Sequence, residues 1–153
     1  MVNFIKVSLE HIDTITSLRL ALLEELGEVN SKEEKHLMET STKEYLQKAL
    51  SNNEFISYMA EINGEPASIS GMVIFHRPPY LENLQGMEAY ILNMYTVPKY
   101  RGNGLAKQLL QNCIDESKNY GVKRIWLHAT EEGAPLYKKM GFVHKNSEME
   151  LFL

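Results

Sequence analysis

"NMYTVPKYRGNGLAKQLL", Asn93 to Leu110, is the stretch from which the fold can be read. An apolar run stops at Pro98, a basic turn with two glycines follows, and an amphipathic pattern starts at once. Leu105, Leu109, Cys113 and Ser117 form one stripe, flanked by Leu110 and Ile114 and closed by Gly121. The spacing predicts a strand over 87–97 that feeds, through the turn, a helix over 104–120. Such a join suits an anion. The first turn of a helix leaves backbone N–H groups without intrahelical partners, and the helix dipole adds positive potential there. Glycines let the backbone close on a phosphate with no Cβ in the way. Gly102 to Lys107 offer the N–H groups, and Arg101 and Lys107 add charge, so the ligand implied is a phosphate or pyrophosphate.

Upstream of this stretch, Asn3 to Val7 reads as a strand. Ser8 can cap a helix whose apolar positions Ile12, Ile15, Leu18, Leu22 and Leu26 recur at helical spacing before Gly27. The segment 31–40 reads as polar and irregular. Ser41-Thr42-Lys43-Glu44 has the form of a capping box and predicts a second helix to Ser51. Strands over 54–62 and 67–75 flank an Asn63-Gly64 hairpin turn, and Arg77-Pro78-Pro79 breaks the second. Downstream, 124–129 is a buried strand and 135–140 a short helix ended by Gly141. Residues 142–145 and 148–153 are expected to form a terminal pair of strands. The order predicts an α/β (α+β) fold, a mixed and mostly antiparallel sheet of about seven strands flanked by about four helices. No repeat or linker divides the chain, so residues 1–153 are read as one domain.

The 153 residues are 44% hydrophobic and 24% charged, with a net charge of −4. That balance gives no strong grip on nucleic acid or on an anionic membrane. The lone cysteine, Cys113, falls on the apolar stripe and reads as core. With no disulfide framework, no signal-peptide pattern and no run near the roughly 20 apolar residues of a bilayer span, a cytoplasmic location is expected. No metal site is expected.

The phosphate ligand can be narrowed. The dinucleotide fingerprint G-x-G-x-x-G fails at Lys107, and "WLHAT" lacks the acidic residue that would hold a ribose. The G-x-x-x-x-G-K-[ST] loop is absent. Arg101-Gly102-Asn103-Gly104-Leu105-Ala106 does fit R/Q-x-x-G-x-G/A, and "APLYKKMGF" follows at Ala134 to Phe142. Together these closely resemble the GNAT superfamily of N-acetyltransferases, over Met87 to Phe142 in motif and from residue 3 onward in element order.

The resemblance implies acetyl-CoA as acyl donor, with its pyrophosphate on Gly102, Asn103, Gly104, Leu105, Ala106 and Lys107 beside Arg101. It implies a pantetheine arm along the backbone of Met94, Tyr95 and Thr96, on a strand that carries a bulge, with the Met94 N–H polarising the thioester carbonyl. Tyr137 matches the tyrosine that protonates the departing thiolate in many members. Thr130 stands where the family often has an asparagine touching the CoA arm, and Ile125 where some relatives carry a catalytic glutamate. The amine must lose a proton before it attacks. Glu88, His128, His76 and a water chain are the alternatives for taking it. The acceptor side would comprise Glu24, Glu25, Glu28 and the loop 77–86. The expected activity is direct transfer of acetyl to a primary amine of a small molecule or peptide. A non-catalytic acyl-CoA sensor and a protein N-terminal acetyltransferase are the alternatives, and a homodimer is compatible with either.

Overall fold

In a computed structural model that describes residues 1–153, strand β2 (Phe55–Ile62) buries side chains on both of its faces. Phe55 and Met59 join Ile15, Leu46 and Ile69 on one side, while Ile56 joins Met72, Leu110 and Cys113 on the other. A strand covered on both faces sits inside a three-layer arrangement. The helices α1 (Ile12–Glu25) and α2 (Lys32–Ser51) form one outer layer, and α3 (Leu105–Tyr120) forms the other. Between them lies one five-stranded sheet, ordered β1 (Val2–Lys6), β2, β3 (Glu65–His76), β4 (Met87–Thr96), β5 (Arg124–Leu127). Its first four strands are antiparallel neighbours, and β5 runs parallel to β4. The short helix α4 (Ala134–Lys139) packs on the α3 side through Leu136 and Tyr137. Full burial of Leu109 and Leu110 on α3 stabilises the layer by about 2 kcal/mol each.

The hairpin turn is as the sequence reads. Asn63 and Gly64 both take positive φ, the geometry that joins twisted antiparallel strands in two residues. The α2 start differs. The helix begins at Lys32 because Ser31 Oγ accepts the Glu34 N–H at 3.1 Å, while Glu34 reaches back to the Asn30 N–H at 2.9 Å. The expected cap at Ser41 lies inside the helix, and Thr42 there is buried. Ser31 and Ser41 each open a Ser-x-x-Glu stretch, and the upstream one caps.

The expected terminal strands are also corrected. The Phe142 N–H donates to the Tyr137 carbonyl, and beyond it no backbone hydrogen bond ties residues 143–153 to the chain. The apolar alternation there favours an extended segment, but periodicity does not supply a partner edge. The sheet therefore has five strands rather than about seven. No helix is long and apolar enough to cross a membrane.

Candidate functional site

The site is built where β4 leaves regular pairing. Ile69 pairs with Tyr95 and Gly71 with Leu92, so two steps on β3 face three on β4. The extra residue makes a bulge, and Asn93 occupies its left-handed position at φ 56°. The packing records the same event. Ala89 and Ile91 face the α3 layer before the bulge, and Met94 faces it afterwards, while Tyr95 turns to the α1/α2 layer. One inserted residue flips which side chains meet which face. On its other edge β4 pairs with β5 only from Glu88 to Ile91. From Leu92 to Thr96 no strand lies on that side, so Met94, Tyr95 and Thr96 border an open cleft.

The chain then turns through Pro98–Tyr100 into α3. Gly102 and Gly104 take φ of 83° and 75°, and a Cβ at either would meet nothing within 4 Å. Backbone conformation, not crowding within the chain, therefore requires glycine here. The first α3 bond runs from the Gln108 N–H to the Gly104 carbonyl at 3.2 Å, leaving the N–H groups of Leu105, Ala106 and Lys107 without helical partners. Asn103 braces the turn, its Nδ2 donating to the Tyr100 carbonyl at 2.9 Å. Arg101 is differently employed than its charge alone suggests. Its Nε donates to the Thr96 carbonyl at 2.8 Å and its Nη2 pairs with Glu25 at 2.8 Å, while the guanidinium stacks over the Tyr95 ring. That hydrogen bond raises the Arg101 pKa and lowers that of Glu25. The pair anchors α1 to the turn.

Tyr137 lies on α4, packed edge-on against Phe142 and in the same cluster as Met94. Burial raises its phenol above the usual tyrosine range, so it remains protonated at neutral pH. Thr130 Oγ1 accepts the Gly133 N–H at 3.1 Å and so braces the entry to α4. Its hydroxyl proton stays available to a second partner.

Among the four alternatives for the base, Glu88 lies inside an ion cluster. Its side chain is fully buried, with Oε2 accepting from the Tyr80 hydroxyl at 2.6 Å and Oε1 from Arg124 at 2.9 Å. Arg77 lies 3.6 Å from Oε2. Burial pushes the carboxyl up, but the bonds from Tyr80 and Arg124 and the two guanidinium charges outweigh it and hold Glu88 below the usual range. A carboxylate so held is a poor proton acceptor, and it sits six residues, roughly 20 Å of strand, before Met94. His128 is bonded to the Tyr90 hydroxyl and to Glu148, at the outer end of β5. His76 ends β3 at the surface. On the expected acceptor side, Glu24 is paired with Lys35 at 3.0 Å and Glu25 with Arg101, so neither is a free anion. No group of His, Cys, Asp and Glu gathers in metal-ligating geometry. Cys113 is buried against Ser70 Oγ, and burial pushes its thiol up to about 11.

Arg19 carries no sequence motif, yet it emerges here. Its Nη1 donates to Asn93 Oδ1, tying α1 to the bulge. Both residues line a cavity of about 260 Å³ between α1, α2 and the sheet, with Tyr45, Phe55 and Leu92. The one available signal was a charge inside the apolar run "LRLALL".

The chain as a whole is similar to known proteins. The Acetyltransferase (GNAT) family profile matches residues 19–142. A crystal structure of a predicted acetyltransferase with acetyl-CoA from Clostridium acetobutylicum is 31% identical, with a TM-score of 0.90 over 99% of this chain and 96% of that one. A glucosamine 6-phosphate N-acetyltransferase of Trypanosoma brucei brucei is 33% identical over 64 residues, 42% of this chain and 44% of the relative. A ribosomal protein bS18-alanine N-acetyltransferase of Haemophilus influenzae is 39% identical over 57 residues, 36% of this chain and 39% of the relative. The matched stretches thus span less than half the length of these two curated relatives.

Proposed function

The chain belongs to the acetyltransferase (GNAT) family, and on that premise we propose that it is an acetyl-CoA-dependent N-acetyltransferase acting on a primary amine. The observation that carries the reading is the β4 bulge at Asn93, where residues 92–96 have no strand on their β5 side and lead directly to the free N–H groups of α3. An extended pantetheine arm fits as a surrogate strand along Met94, Tyr95 and Thr96, and its pyrophosphate fits the turn from Gly102 to Lys107. Lys107 adds a charge at the mouth, while Arg101 acts by holding the turn to Glu25.

In this reading the neutral amine attacks the thioester carbon in a ternary complex. A backbone N–H at Met94 stabilises the charge that develops on the carbonyl oxygen, a type of contact worth about 3 kcal/mol of barrier. The C–N bond forms, the C–S bond breaks, and the thiolate takes its proton from the Tyr137 hydroxyl. The amine releases its own proton to water in the open cleft, since Glu88 is locked into its ion cluster. Thr130 serves as a hydroxyl contact beside α4.

The test is turnover. Wild-type protein, acetyl-CoA and a panel of amines are mixed, and free thiol and acetylated amine are both measured. The two products are expected in equal amounts, and Tyr137→Phe is expected to lower kcat about a hundredfold while acetyl-CoA still binds. Acetyl-CoA binding with no amine acetylated would instead make the chain an acyl-CoA sensor.

A further inference from the structure

The cavity between α1, α2 and β4 has an electrostatic character that its position alone does not require. Arg19 is half-buried there, and it belongs to none of the chain's ion pairs. Its neighbours on the same helix, Glu24 and Glu25, are both paired. Burial is the largest influence on Arg19, lowering its pKa, and Glu28 acts on it only from beyond ion-pair distance. Of its several guanidinium donors one is spent on Asn93 Oδ1. The remaining wall is mostly apolar, from Met38, Leu46, Phe55 and Leu92, with hydroxyls from Ser41 and Tyr45. A half-buried cation outside any ion pair keeps donors to spare, and a planar fork of donors matches a carboxylate or phosphate two oxygens at a time.

We propose that Arg19 binds an anionic group of the acceptor, so that the amine acetylated by this protein belongs to a small molecule carrying a carboxylate or a phosphate. The proposal rests on the acetyltransferase reading above and adds the acceptor's chemical class. Asn93 gives it geometry. The residue that fixes the bulge also orients Arg19, so the anion is gripped on the α1/α2 side of the strand whose open edge faces the thioester. A cavity of about 260 Å³ falls just under the roughly 300 Å³ at which small-molecule sites begin, which suits one amino acid or amino sugar.

The test is steady-state kinetics on matched acceptors: amino acids against their carboxamides, and a phosphorylated amino sugar against the unphosphorylated one. The two pairs separate carboxylate from phosphate. Wild-type protein is expected to favour the anionic member of one pair, and Arg19→Gln to lose roughly ten- to hundredfold in kcat/KM for it, mainly through KM. Arg19→Lys, which keeps charge but not the fork, should fall between. Retained acetyl-CoA binding in both variants checks that they fold. Neutral amines used at least as well as anionic ones, or a preference unchanged in Arg19→Gln, would overturn the proposal and leave the acetyltransferase standing. Failure of wild-type protein to bind acetyl-CoA would overturn both.

Discussion

Tyr137 has the one proton that the chain itself delivers in the proposed reaction. Burial raises its pKa, so the donor form persists through neutral pH and is lost only as pH climbs through that raised value. The acceptor amine works in the opposite sense, gaining its lone pair as pH rises. The pH profile of kcat should therefore climb from neutral pH and show no descending limb before about pH 10, the unperturbed phenol value. A fall setting in near the cysteine range would contradict Tyr137 as donor. Tyr137 was legible because it sits in a motif. Arg19 was not, because a charge on an otherwise apolar helix stretch looks the same whether it reaches solvent or a cavity. Only the packing of α1 against β4 distinguishes the two.

The β4 bulge is the element on which the site depends. Asn93 holds φ 56°, which asparagine tolerates and a β-branched residue does not. Asn93→Gly should keep the bulge while losing the bond to Arg19, and should retain acetyl-CoA binding. Asn93→Val should cost about 1–2 kcal/mol in stability, read from the urea midpoint, and weaken acetyl-CoA binding as the strand returns to regular pairing. Equal binding by the two variants would sever the bulge from the site. The strand, the glycine turn and the helix start could all be read from "NMYTVPKYRGNGLAKQLL", since each has a local cause. The bulge came only through resemblance, because β3 sets it by facing three β4 steps with two of its own. The start of α2 was misread for a related reason. Ser31 and Ser41 both open a Ser-x-x-Glu pattern, and the choice between them belongs to the helix as folded.

At the scale of the molecule, the sheet order follows from short connections, and the three layers follow from strands that are apolar on both faces. What the sequence does not fix is which edges stay open, since a segment with strand character pairs only where an edge is in reach. Glu88 illustrates the long-range part. It joins β4 to Arg124 on β5 and to the loop at Arg77 and Tyr80. Its folded pKa is depressed, so its contribution is present above the unfolded value of about 4.3 and is lost as pH falls through the folded one. Glu88→Gln should lower stability by about 1–2 kcal/mol at neutral pH, the arginines being partly exposed, and flatten the acid-side loss. Its kcat should match wild type; a large fall in kcat with stability intact would restore Glu88 as a base. The most direct test of the whole account is thermal unfolding of the protein with acetyl-CoA, CoA, NAD or ATP. At about a hundred times its Kd a ligand stabilises by roughly 2.7 kcal/mol, a rise of several degrees for a chain of this length. The account predicts that rise with acetyl-CoA and CoA alone. No response to either, or an equal response to NAD or ATP, would contradict it.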